Sequence, residues 1–196
     1  MANGGKRVPR VKSDTKAEIR EVALELFARQ GFDKTSLREI AERLGLTKAA
    51  LYYHYPSKSE LLHAIVNPLM DDLGALVERH SRDLDGGGPV ADRAALLSDY
   101  FDVCARHSAM LLAVLNDLGA LSRTGLIEVI VERRRRLDAL LVGEDATTPA
   151  KMGAVLALGG IQDIVVLLSV EEARAHRESA VAIALAALAA GTSAMD

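Results

Sequence analysis

Residues 47–58, "TKAALYYHYPSK", concentrate side chains able to touch nucleic acid. Thr47, Tyr52 and Tyr53 bring hydroxyls, Lys48 and Lys58 ammonium groups, and His54 an imidazole. Such groups suit phosphate oxygens, and phosphate contacts fix position rather than sequence preference. The clustering is uneven. Aromatic residues make up 4% of the chain, with four Tyr, three Phe and no Trp, yet three of the four tyrosines are Tyr52, Tyr53 and Tyr55. Ala49 and Ala50 are small enough for close approach to base edges. Arg38 can reach a guanine edge or a phosphate, or remain a solvated arginine.

These side chains need helices to hold them. Helical periodicity runs almost throughout, with no convincing alternating strand, so the chain is expected to be all-α. A first helix follows Ser13 or Asp14, carries Ile19, Ala23, Leu26 and Phe27 on one stripe, and stops at Gly31. Ser36-x-x-Glu39 and Ser57-x-x-Glu60 are capping boxes, and Thr47 caps the helix between them. The two short helices joined at "GLT" form a helix-turn-helix over about 36–55, whose second helix lies in a DNA major groove. Leu51 and Tyr55, four apart, share the face that packs inward. Lys48 and Tyr52 share another. Tyr53 fits either the outward surface or local core.

In "LFARQGFDKTS", "IAERLGLTKAALYYHY" and "SKSELL" the chain resembles the TetR family of bacterial transcription regulators over about residues 13–73. The resemblance implies a three-helix DNA-binding head followed by a larger helical ligand-binding and dimerisation body over 74–196, about nine helices in all. It implies a homodimer on a palindromic double-stranded operator, released when a small molecule binds. Carried over by position, it places Arg38, Thr47, Lys48, Ala49, Tyr52, Tyr53, His54 and Lys58 at DNA, and makes Leu51 and Tyr55 structural.

The charge distribution agrees with a nucleic-acid head. Residues 1–60 hold twelve Lys/Arg against eight Asp/Glu, net +4, and the remainder twelve against nineteen, net −7. Residues 1–12 read as a flexible basic arm and 84–89, "LDGGGP", as a linker-like break. Further helices are expected over 89–106, 108–121, 124–142, 148–169 and 171–190. Pro68 removes one backbone donor within the helix after Ser57 and is expected to kink it.

Small residues at helical spacing mark a candidate dimer interface: Gly153, Ala157, Gly160 and Ile164, then Ala173, Ala180, Ile183, Ala184 and Ala187. An internal helix hairpin explains them as well. Candidate pocket residues for a largely apolar effector are Tyr100, Phe101, Cys104, Asn116, Asp117, Gln162 and Asp163, although Phe101 and Cys104 also lie on a core stripe. The run Arg133–Arg136 reads as a solvated face paired with Glu128 or Glu132, with at least one arginine turned inward or along a groove; binding of an anionic ligand is the lesser alternative.

One cysteine excludes an internal disulfide, no secretory signal is visible, and the apolar stretch 152–170 contains Gln162 and Asp163. A cytoplasmic protein without a membrane partner is expected. With no metal-ligand cluster, nucleotide loop or nucleophile beside a base, neither cofactor nor catalysis is expected. A constitutive dimer or activator without an effector is the rival reading, with an enzyme in the helical body behind it.

Overall fold

The computed structural model describes residues 14–82, 88–116 and 118–193, and their side chains except at 114–116, 118 and 120. The basic arm 1–12, residues 84–87 of the expected break, and Asp117 lie outside the described residues. Eleven helices and no strand are found among the described residues, against about nine helices expected.

The head is α1 (Thr15–Gln30), α2 (Leu37–Arg43), α3 (Lys48–His54) and the start of α4 (Lys58–Ser81). Each start is capped by a side chain. Asp14 accepts from the Lys16 N–H, Ser36 from Glu39, Thr47 from Ala50 and Ser57 from Glu60, all at 3.1 Å. The Ser36 box closes on one side only, because the Glu39 carboxylate accepts from the Gln30 amide instead, at 3.0 and 3.1 Å. After α2, Gly45 adopts φ +65° and the Leu46 N–H returns to the Ala41 carbonyl at 2.9 Å. That is a Schellman ending, which requires a left-handed residue where α2 turns into α3. Ile19, Ala23, Leu26, Ile40, Ala41, Leu51 and Leu61 are buried at 2% exposure or less and close the head's core.

α4 runs without interruption through Pro68 and across residue 73, so head and body share a helix. It crosses α5 (Arg93–Arg106) antiparallel, and the crossing is clasped twice. Both helices carry Asp followed seven and eight residues later by Arg and His: Asp72, Arg79 and His80 on α4, and Asp99, Arg106 and His107 on and just after α5. Each aspartate takes the other helix's pair. Asp72 accepts from Arg106 and lies 2.8 Å from the His107 Nε2, while Asp99 accepts from Arg79 at 2.8 Å and lies 3.0 Å from the His80 Nε2. The His107 hydrogen bond, with Arg106 beside it, holds the Asp72 carboxyl below the ordinary carboxylate range against the opposing effect of burial.

The body adds α6 (Ser108–Asn116), α7 (Leu118–Arg123), α8 (Leu126–Val142), α9 (Thr148–Leu167), α10 (Val170–Ala175) and α11 (Arg177–Ser193). α5 begins at Arg93 rather than 89, because Asp92 caps it and the Val90 N–H goes to the Leu140 carbonyl. The single helix expected over 171–190 is two. Ser169 accepts from the Glu172 N–H at 3.1 Å and starts α10, and the chain breaks at His176 before α11.

α9 and α11 pack very closely. A Cβ at Gly153 would stand 2.9 Å from the Ala187 carbonyl oxygen, and one at Gly191 2.5 Å from that of Pro149. This contact uses most of the small residues expected between two copies. Gly153, Ala157, Ala180 and Ala184, with Ala173 of α10, are buried within the chain, and Gly160, Ile164 and Ala187 are half-buried. Small side chains were needed to bring α9 onto α11, so that stripe faces inward. Of the expected set only Ile183 is exposed, and the other large apolar side chains exposed on α9 include Met152, Leu156 and Leu167. α9 is also the one helix among the described residues long and apolar enough to cross a membrane by length and composition.

Candidate nucleic-acid interface and body cavity

α3 divides lengthwise. Leu51 is fully buried and Tyr55, just past the helix, is 6% exposed. The Tyr55 hydroxyl donates to the Lys16 carbonyl at 3.3 Å and accepts from Arg20 at 3.5 Å. The opposite face is open: Thr47, Lys48 and Ala49 are exposed, Tyr52 is 41% exposed and Tyr53 84%. The Lys48 Nζ stands 5.5 Å from the Tyr52 ring centroid, and the Tyr53 and His54 rings meet edge-on at 5.4 Å. His54 is half-buried, with Nδ1 enclosed and without a hydrogen-bond partner among the described residues. An exposed tyrosine pair beside a lysine is a surface with aromatic faces, hydroxyl donors and positive charge, the combination that grips a nucleic-acid backbone.

Two expected DNA residues have other occupations. Arg38 is exposed and paired along its own helix with Glu42 at 2.7 Å, a solvated i,i+4 pair that is weak and readily exchanged. Lys58 is more firmly engaged. Its Nζ donates to the carbonyls of Phe32, Thr35 and Asp33 at 2.6, 2.9 and 3.4 Å and lies 4.2 Å from the Phe32 ring centroid. An ammonium has three N–H groups. Those of Lys58 clamp the α1–α2 loop, a structural role that position alone did not suggest.

The body encloses a cavity of about 120 Å³. α4 lines it with Val66, Leu69, Met70 and Leu73, α5 with Tyr100 and Cys104, α6 with Met110 and Leu111, α8 with Ile130, Arg134 and Leu137, and α9 with Gln162. Three expected pocket residues, Tyr100, Cys104 and Gln162, therefore meet in one place. Two others do not: Asp163 is exposed and Phe101 is fully buried, and neither lines the cavity. The Asn116 side chain lies outside the described residues. Burial pushes the Cys104 thiol up to about 12 and raises the Tyr100 hydroxyl well above its ordinary value, so both face the cavity as neutral groups. A thiol so placed is not a nucleophile at neutral pH.

Arg134 is the cavity residue that sequence did not single out. The arginine run divides into distinct environments. Arg136 pairs with Glu132 at 3.0 Å in solvent, as expected. Arg133 lies against Gly74, where a Cβ would be 3.1 Å from its guanidinium. Arg134 turns inward, with Nε 3.3 Å from Asp138 and Nη2 donating to the Val155 carbonyl at 2.9 Å.

A capped helix pair over a shared core, with polar and aromatic side chains on the outer face of its second helix, defines a helix-turn-helix protein. Residues 19–65 match the model of the bacterial regulatory proteins, tetR family. The HTH-type transcriptional repressor KstR2 of Rhodococcus jostii is 32% identical over 100 residues, 50% of this chain and 48% of that protein. The HTH-type transcriptional regulator TtgR of Pseudomonas putida is 30% identical over 129 residues, 66% of this chain and 54% of its own length. The matches thus span about half the length of these curated relatives. A crystal structure of a transcriptional regulator (TerR/AcrR family) from Aquifex aeolicus superposes with a TM-score of 0.65 at 26% identity, covering 85% of this chain and 95% of that one. Residues 19–65 thus carry the DNA-binding segment of the tetR family, and the likeness to the solved regulator extends over the body as a shared fold.

Proposed function

We propose that the protein is a homodimeric, cytoplasmic transcription regulator that binds a palindromic DNA operator through α3 and leaves it when a small, largely apolar molecule enters the body cavity. The observation carrying this reading is the open face of α3, with Lys48, Tyr52 and Tyr53 exposed above a buried Leu51. Thr47, Ala49 and His54 complete the reading surface, and Arg38 joins it by releasing Glu42. The relative named as a transcriptional repressor supports that sign of regulation. A palindrome needs two heads about 34–36 Å apart, which a two-fold dimer supplies. The exposed apolar side chains Met152, Leu156, Leu167 and Ile183 are the surface proposed to join the copies. The cavity is lined by four residues of α4, the helix that continues into the head, so occupancy can act on the head through α4.

Titration of the purified protein against DNA from around its own gene, at several salt concentrations, tests this. Saturable binding to one palindromic segment is expected, with affinity falling steeply with salt. Lys48→Ala and Tyr53→Ala should each weaken it about tenfold. Absence of even non-specific binding at low salt would reject the reading.

A further inference from the structure

The cavity's lining specifies a ligand class. Among the described residues its wall is hydrocarbon except for Tyr100, Cys104, Gln162 and one charged residue, Arg134. A guanidinium carries five N–H groups. Among the described residues, those of Arg134 reach only the Asp138 carboxylate, at 3.3 Å, and the Val155 carbonyl. The first contact is long for a charge-assisted hydrogen bond, which normally closes to about 2.7–2.9 Å. Asp138 does not line the cavity, and burial raises its carboxyl against the opposing effect of Arg134. Arg134 thus brings a positive charge to a largely apolar wall, with its side chain about one-quarter exposed and its internal counter-charge held at 3.3 Å. A cationic ligand would meet an uncompensated like charge. A purely apolar one would displace solvent from the part-exposed guanidinium without offering it an acceptor. An anion with a hydrocarbon body suits both the arginine and the described apolar wall. The cavity, about 120 Å³ and open on one side, suits a body of about one ring or a short chain.

We infer that the cavity binds a small amphipathic carboxylate, an arene or short-chain acid in its anionic form, with the carboxylate on Arg134 and the hydrocarbon among Leu69, Met70 and Leu137. This rests on reading the cavity as the effector site. On binding, the ligand takes over the guanidinium edge that Asp138 holds loosely, while Tyr100 and Gln162 offer neutral hydrogen bonds beside it.

Calorimetric titration of the full chain at pH 7 with benzoate and hexanoate, against the neutral isosteres benzamide and hexanamide, tests the inference. At least one acid should bind at least about tenfold more tightly than its amide, the worth of a charge-assisted pair. Arg134→Gln should remove that preference while leaving amide affinity within about threefold. Arg134→Lys, which keeps the charge and loses the planar fork, should fall between. It also serves as the decisive variant if Arg134→Gln does not fold. Amides binding wild type as tightly as acids, an unchanged preference in either variant, or no acid binding at millimolar concentration would each overturn the inference. DNA titration of the same preparations separates the two readings. Tight DNA binding without acid binding removes the carboxylate and leaves the regulator, while acid binding without DNA binding does the reverse.

Discussion

In the head, α3 keeps Leu51 in the core and turns its lysine, tyrosines and hydroxyls outward. In the body, α5 and α8 turn Tyr100, Cys104 and Arg134 inward around a cavity. The head's chemistry therefore sits mainly on α3 and its cap Thr47, with Arg38 on α2, and costs little to mutate. The body's chemistry is assembled from five helices and is tied to packing. A change on the outer face of α3 should alter binding without altering stability, whereas a change at the α9–α11 contact or under α3 should do the opposite.

The largest test of that division is Leu51→Ala. Loss of a fully buried leucine in a small head should cost about 2–5 kcal/mol and abolish DNA binding through unfolding of the head, as read by chemical denaturation. Retained stability with lost DNA binding would mean that α3 is not divided as described. Gly191→Ala probes the body. Its Cβ would meet the Pro149 carbonyl oxygen at 2.5 Å, and overpacking should cost about 1–3 kcal/mol despite a better helix former.

Two lysines sharpen the contrast within the head. Lys58→Met should destabilise by about 1–3 kcal/mol, because the loop carbonyls of Phe32 and Thr35 lose their charged donor. Lys48→Ala should leave stability within about 0.5 kcal/mol. Equal effects of the two on stability would erase the distinction between clamp and contact.

The smallest expected effect lies at the α4–α5 clasp. The Asp72 carboxyl is about one-third exposed, so Asp72→Asn should cost about 1 kcal/mol or less at neutral pH. Its folded-state value is lowered, so its contribution is present above the ordinary carboxylate value of about 4 and is lost as pH falls through the lower folded value. The stability gap between wild type and Asp72→Asn should therefore close on acidification below about pH 4. A gap that widens there would contradict the clasp.

The head was legible in the sequence because its determinants are local. Caps at Ser36, Thr47 and Ser57 lie within three residues of the groups they bind, and Gly45 marks the turn. The body was legible only in part. Four consecutive arginines show that one must turn inward, but periodicity does not select Arg134, because the choice depends on where α9 crosses α8. The stripe of small residues was visible, but such a stripe is equally suited to a partner helix in the same chain or in another. Here α11 takes it. The repeated Asp, Arg, His spacing of α4 and α5 was also present, but it acquires meaning only when the helices are antiparallel and in register. The loop contacts of Lys58 were not legible, because its acceptors lie more than twenty residues away, in a loop whose path is set by tertiary packing.

Amide hydrogen exchange of the protein with and without a bound operator fragment tests the division most directly. Protection concentrated in residues 36–54, with the α9–α11 amides unchanged by DNA, is the predicted result. Protection centred on α9 and α11, with residues 48–54 exchanging as in the free protein, would contradict it.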